Sequence, residues 1–264
     1  MIFDTHAHYN DRAFAEDLPE ILAGFPEAGI GRAVNVCYDA DSIDRTLELN
    51  RRYPSVFFTA LGIHPSDCGP MTEEVLEHIR AHLHDPGVVA VGEVGLDYHY
   101  NEPEKAVQHH WFRRQIQLAR EEDMPLIIHS RDAAEDTFRI LKEEGAEKTG
   151  GVIHCYSYSA EMALEYVKLG WYIGIGGVVT YKNGRKLKEV AAAVPLESIV
   201  LETDCPYLSP TPLRGTRNSS LNLPYVVQEI AGIRGISAKE VEDVTYRNAM
   251  RLYRLLELPE QKQR

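Results

Sequence analysis

The sequence predicts an α/β fold, a (β/α)8 TIM barrel. Three observations carry that expectation. Eight short β-rich runs alternate with stretches of helical periodicity. The runs are apolar almost throughout, as strands paired in parallel and covered on both faces must be. Their mean interval, roughly 28 residues, is what eight β/α units in ~250 residues require, and the chain has 264. Residues 1–264 are read as one barrel domain. A doubly wound sheet is the alternative fold; it would usually show a glycine-rich turn after the first strand, and Asp4-Thr5-His6-Ala7-His8 offers none.

In chain order, the first strand, Ile2–His6, opens on Ile2-Phe3, runs into a His-x-His pair and leads to a helical stretch over Leu18–Ala28. Ala33–Val36 follows, then Asp41-Ser42 introduces a helix over Ile43–Arg52. Val56–Gly62 is followed by Glu73–His84, with Thr72 as the expected N-cap, and Val88–Glu93 by Glu104–Glu122. Leu126–His129 pairs with the helix Ala133–Glu144, Gly151–His154 with Ala160–Leu169, and Trp171–Ile175 with Lys186–Val194. The eighth strand, Ile199–Glu202, precedes helices over Leu223–Ile233 and Ala238–Leu256, the second opened by the capping box Ser237-Ala238-Lys239-Glu240. The last residues, Gln261-Lys262-Gln263-Arg264, read as a frayed tail.

Composition narrows the function classes. A net charge of -12 opposes broad electrostatic adhesion to nucleic acid and leaves room only for a local basic site. Cys37, Cys68, Cys155 and Cys205 form no C-x-x-C pair, which argues against a disulfide framework or zinc ribbon; they are expected reduced. No basic leader or membrane-length apolar run is present, so a cytoplasmic enzyme with no membrane association is expected. Nothing in the sequence implies a stable protein partner.

The strand ends hold the chemistry. His6 and His8 share a face of the first strand. The third strand closes at His64, the fourth at Glu93, the fifth at His129, the sixth at His154 and the eighth at Glu202 and Asp204, so five of the eleven histidines fall there. Converging imidazoles and carboxylates on an apolar barrel would be costly unless cations held them. His6, His8, His129, His154, Glu93 and Asp204 exceed one tetrahedral zinc, which argues for two divalent ions with Glu93 as the bridge. The expected partition sets His6, His8 and Asp204 on one ion and His129 and His154 on the other. Asp204 is the expected acceptor for the proton of the attacking water; Glu202, two residues earlier, would orient a ligand histidine. Basic residues close to this face are candidates for substrate phosphate: Arg131, Lys182, Arg185, Lys186, Arg214 and Arg217. Arg185 and Lys186 in a first helical turn oppose the helix dipole and fit a bound anion.

At these residues the chain resembles the TatD-like metal-dependent deoxyribonucleases of the amidohydrolase-type barrels. The matches are Phe3-Asp4-Thr5-His6-Ala7-His8, Gly62-Ile63-His64-Pro65, Gly92-Glu93-Val94-Gly95-Leu96-Asp97-Tyr98, Pro125–Arg131, Ile153-His154-Cys155-Tyr156-Ser157, Leu201–Leu208 and Arg214-Gly215-Thr216-Arg217-Asn218. The resemblance implies a TIM barrel, two divalent cations (zinc, magnesium or manganese) on the same six ligands, and hydrolysis of DNA phosphodiester bonds. It further implies a phosphate-contacting role for His64 and a substrate-facing one for Arg131. Departures at Ser66, Tyr156-Ser157-Tyr158 and Ser219-Ser220 are expected on substrate-side loops, leaving the metal set intact. Related barrels that cleave cyclic amides often carry a carbamylated lysine at strand four, where this chain has Glu93.

The function expected is therefore a two-metal deoxyribonuclease acting on single strands or frayed ends, from an end. The rivals are a metal-dependent amidohydrolase or ester hydrolase acting on a small molecule or aminoacyl ester, and a metal-stabilised binding scaffold.

Overall fold

The computed structural model describes residues 1–255. Eight parallel strands lie in the order of the sequence: β1 (Ile2–Ala7), β2 (Ile30–Val36), β3 (Phe57–Leu61), β4 (Val88–Asp97), β5 (Leu126–Arg131), β6 (Gly151–Ile153), β7 (Tyr172–Ile175) and β8 (Ile199–Leu201). Helices α1 (Leu18–Ala23), α2 (Ser42–Arg52), α3 (Glu73–His82), α4 (Lys105–Glu121), α5 (Ala134–Glu143), α6 (Ala160–Lys168) and α7 (Arg185–Ala193) connect them, and α8 (Leu223–Arg234) and α9 (Ala238–Leu252) follow β8. The barrel closes where Ala7 bridges Cys205, the His8 amide donates to the Cys205 carbonyl (2.9 Å) and the Asp204 amide to the His6 carbonyl (2.9 Å).

The helices form because apolar residues recur at helical spacing and bury one stripe. In α7 this stripe is Leu187, Val190 and Ala191. Inside the strands, Phe3, Val34, Ala60, Ile127, Val152 and Val200 cluster with Ala249, Leu252 and Tyr253 of α9. Tyr253 donates to the Thr5 carbonyl (2.8 Å), and Asn248 donates to the Leu196 and Ile199 carbonyls (2.8 and 2.7 Å). These contacts pack α9 against the barrel end opposite the strand-end histidines. That leaves the C-terminal mouth as the open end.

Several expected boundaries shift. The first helix stops at Ala23 instead of Ala28, where Gly24 caps it and Pro26 and Gly29 (φ 71°) cannot continue it. β4 runs on from Glu93 to Asp97, pairing Val94 through Asp97 with Ile128 through Arg131 after a register shift past Val91. Thr72 stands at the α3 N-cap position, but its side chain accepts no helix N–H, whereas Ser237 accepts from the Glu240 amide at 3.1 Å. The last helix ends at Leu252 instead of Leu256, with Tyr253 at its C-cap, and the expected tail 261–264 lies outside the described residues.

The long β4 depends on glycine. At Gly92 an added Cβ would stand 2.6 Å from the Ile127 Cβ, and at Gly95 (φ 150°) it would overlap the His129 carbonyl oxygen. Gly95→Ala must therefore push β4 from β5 at the metal face. It is expected to lower stability by roughly 2–4 kcal/mol, read as a fall in the urea unfolding midpoint; an unchanged midpoint contradicts the close approach.

Candidate metal centre

β1 delivers His6 and His8 to the mouth, and a hydrogen-bond clip holds them beside the β8 loop. The buried Asp4 carboxylate accepts from the Thr203 amide (3.0 Å), Thr203 Oγ1 (2.7 Å) and Ser220 Oγ (2.6 Å). Burial, partly offset by these bonds, pushes Asp4 up to about 7. Ser220 also bonds Tyr9 through its amide and hydroxyl, both at 2.8 Å. This corrects the expectation for Ser219-Ser220: Ser220 is fully buried beneath β1 and braces the strand instead of facing substrate. Nearby, Asp204 adopts a left-handed backbone (φ 56°), as do Asp132 (54°), Cys155 (45°) and Leu208 (56°) on neighbouring mouth loops. Such conformations cost about 1–3 kcal/mol each and gather where function fixes them.

Glu93 sits at the centre, and its side chain is only 4% exposed. Its two oxygens face different partners. Oε2 lies 3.2 Å from His6 Nε2 and 3.7 Å from His8 Nε2, and these nitrogens stand 3.7 and 3.4 Å from Asp204 Oδ1. Oε1 lies 2.7 Å from His129 Nδ1, 2.8 Å from His154 Nε2 and 3.6 Å from His64 Nε2. His6 and His8 thus face one oxygen of the Glu93 carboxylate, and His129 and His154 the other.

Two of the outer nitrogens, those of His8 and His129, have acceptors of their own, whereas His6 Nδ1 and His154 Nδ1 are buried without a hydrogen bond. His8 Nδ1 donates to the Val36 carbonyl (3.0 Å), His129 Nε2 faces Asp97 Oδ2 (3.2 Å), and His154 Nδ1 faces Glu202 Oε1 (3.7 Å). An imidazole whose outer nitrogen donates turns a lone pair inward, the arrangement metal ligation uses. Inward, however, stand further acceptors. His6 Nε2 and His8 Nε2 approach to 3.1 Å, His154 stacks on His6 (3.8 Å between ring centres), and His154 Nε2 is buried without a hydrogen bond. Lone pairs and carboxylate oxygens crowded so closely need protons or cations between them. The donor set of nitrogen and carboxylate oxygen fits divalent metal ions.

The electrostatics agree. Burial opposes the charge on Glu93, yet His154, His6, His64 and His129 hold its carboxyl well below the usual range. Burial also opposes imidazolium. At His154 the Glu93 and Glu202 carboxylates outweigh it and raise the group well above its ordinary value; Asp204 and Glu93 raise His8, and Asp97 and Glu93 raise His129. His6 is pushed down by burial and by His154. His64, under burial and the charge of His129, falls to about 3 and stays neutral. Its Nδ1 accepts from the Ser66 amide (3.1 Å), so Nε2 carries the hydrogen and can donate into the cleft.

A cleft of about 740 Å³ opens over this centre, walled by His8, His64, Glu93, His129, His154 and Asp204 among others. Arg131 lines it, 5.7 Å over the Tyr100 ring, and Tyr100 and Tyr207 on its rim are more than half exposed. Asp11 and Asp67 line it as well. The other expected basic residues do not converge there. Arg185 and Lys186 border an adjoining pocket, and Arg185 pairs with Glu189 (2.9 Å). Arg214 stacks on Tyr181 (4.3 Å), Arg217 is bonded to Asp17 and the Ala13 carbonyl, and exposed Lys182 lines neither cavity. Glu202 is buried, its Oε1 accepting from the Cys155 amide and facing His154.

Sequence reasoning gave Asp97 no role. Its signal was available, since residues 93, 95 and 97 share one face of a strand that continues past Glu93. Tyr158, expected at the substrate, instead bonds Ser130 Oγ (2.9 Å) and the Ala133 amide (3.1 Å), bracing the loop that carries Arg131.

Residues 3–254 match the family described as TatD related DNase. A Bacillus subtilis protein described as an uncharacterized metal-dependent hydrolase, YabD, is 44% identical, covering 97% of this chain and all of that one. A mouse protein named "Putative deoxyribonuclease TATDN3" is 34% identical, covering 96% of this chain and 88% of its own. The crystal structure of the Escherichia coli TatD homologue YjjV superposes with a TM-score of 0.90 at 32% identity, over 96% of this chain and 98% of that one.

This geometry has two measurable outcomes. His8, His129 and His154 are held above the ordinary imidazole range in the metal-free chain, so ions must displace protons to bind. Loading is expected to release about one to two protons per ion, and affinity to rise with pH; calorimetry in buffers of different ionisation enthalpy reads both, and no proton release contradicts the assignment. Removing the partner of His129 by Asp97→Ala should weaken metal binding about 10- to 100-fold in a chelator competition while the barrel stays folded.

Proposed function

Because the chain belongs to the TatD related DNase family and is a metal-dependent hydrolase, we propose that it cleaves phosphodiester bonds in DNA. In this reading His6, His8, Glu93, His129, His154 and Asp204 hold two divalent cations, zinc, magnesium or manganese. The observation that carries it is the two-faced Glu93 carboxylate, with a separate set of ligand atoms at each oxygen. When bound, such ions lower the pKa of water and neutralise charge on a phosphoryl group.

The chain's own residues supply the rest. Asp204, the ligand carboxylate with 20% of its side chain open to the cleft, takes the proton of the attacking water at Oδ1. His8, His154 and His6 hold that carboxyl below its usual value, against burial, so it is ionised and ready to accept. His64 Nε2–H and the Arg131 guanidinium donate to the non-bridging oxygens of the phosphate as charge develops. Glu202 keeps His154 aimed inward, and Asp97 does the same for His129.

The rim supports single strands or frayed ends as substrate. Exposed Tyr100 and Tyr207 offer faces on which unpaired bases stack. Asp11 and Asp67 repel phosphate on one side of the cleft, which favours a strand that ends there over one that passes through. No described helix is long and apolar enough to cross a membrane. Four unpaired cysteines support a cytoplasmic location.

Purified protein with magnesium, manganese or zinc should degrade labelled single-stranded oligonucleotides faster than blunt duplexes, and chelator should abolish this. Asp204→Asn should lower kcat by roughly 10²–10⁴-fold with little change in KM. Intact oligonucleotides under every metal, together with metal-dependent turnover of carboxylic esters or amides, would sink the proposal.

A further inference from the structure

A second cavity of about 310 Å³ lies between the loops that follow β6, β7 and β8. It is continuous with the metal cleft, because Cys155, Ser157, Val178, Asp204 and Leu208 line both. Its own walls are mainly apolar, supplied by Tyr156, Val178, Leu187 and Leu208. Ser157 and Asn183 add hydrogen-bonding groups, and the exposed cations Arg185 and Lys186 stand on its border at the start of α7.

We propose that this pocket is a nucleoside subsite, which takes the sugar and base attached to the phosphate being cleaved; the assignment rests on the phosphodiesterase function proposed for the metal centre. The charge pattern selects the occupant. One end of the slot meets the metal face at Asp204, where the scissile phosphate sits, and the other meets Arg185 and Lys186, which suit the next phosphate of the strand. Between two anion-favouring ends lies an apolar interval with a few polar groups, the profile of a heterocycle and sugar between phosphates. The volume suits one unpaired nucleoside, which favours a strand that is open at the residue being cut. A free amino acid or other zwitterion would place a charge against Val178, Leu187 and Leu208 without a partner.

The test compares thymidine 5′-(4-nitrophenyl phosphate) with methyl 4-nitrophenyl phosphate, both read by release of 4-nitrophenolate from the metal-loaded protein. The nucleoside ester should be preferred in kcat/KM by roughly ten- to a hundredfold, and Val178→Trp, which fills the slot, should erase that preference. A measurement independent of any variant uses the unaltered protein: thymidine 5′-monophosphate should inhibit at a concentration roughly tenfold below inorganic phosphate. Equal use of both esters, or a preference that survives Val178→Trp, overturns the subsite and leaves the phosphodiesterase function standing. Cleavage of neither ester overturns both.

Discussion

The buried carboxylate of Glu93 is the constraint on which the rest of the structure depends. A carboxylate removed from water is costly unless it is met by cations or hydrogen bonds. Here Glu93, Asp97, Glu202 and Asp204 surround His6, His8, His129 and His154. With neutral imidazoles the cluster carries four negative charges, which two divalent ions would balance. The barrel is arranged around that balance: β4 bulges to aim Glu93, Gly95 lets β5 come close enough to present His129, and Asp4 ties β1 to the β8 loop. The same cluster explains why Glu93, Asp97 and Asp204 titrate low and His8, His129 and His154 high.

Much of this was legible because a barrel strand is apolar until it reaches the mouth. A histidine or carboxylate closing such a run has no core role to play, so His129 after Leu126-Ile127-Ile128 and His154 after Val152-Ile153 marked the site by position alone. Asp97 escaped because β4 shifts register past Val91 and continues, and a strand predicted to end at Glu93 leaves residues 94–97 in a loop without a face. Ser220 and Tyr158 were misplaced for a related reason. A loop residue can face the substrate or brace the loop from below, and only packing decides which. The fate of Arg217 turned on Asp17, two hundred residues away in sequence, a pairing that no local pattern contains.

The charge of the whole molecule and the chemistry of its mouth pull in opposite directions. An acidic surface discourages long stretches of polyanion from lying across the protein. On the function proposed here, affinity would come from a small area, the cleft that Arg131, the rim tyrosines and the metal centre line together. Such a surface gives up grip on bulk nucleic acid and keeps selectivity for the segment that fits the cleft.

The closure of β8 against β1 also carries a consequence for biosynthesis. Asp204 and the Cys205 bridge emerge from the ribosome about two hundred residues after His6 and His8, yet they complete the same cluster. A nascent chain holds the first histidines long before it holds their partners, and so has no finished chelate with which to capture ions. If ions bind the proposed ligand set, their uptake would report that synthesis has passed the last strand and that the ring has shut, which would make the ion a check on completeness. A chain truncated before β8 would display the same His-x-His pair and remain a poor ligand for anything.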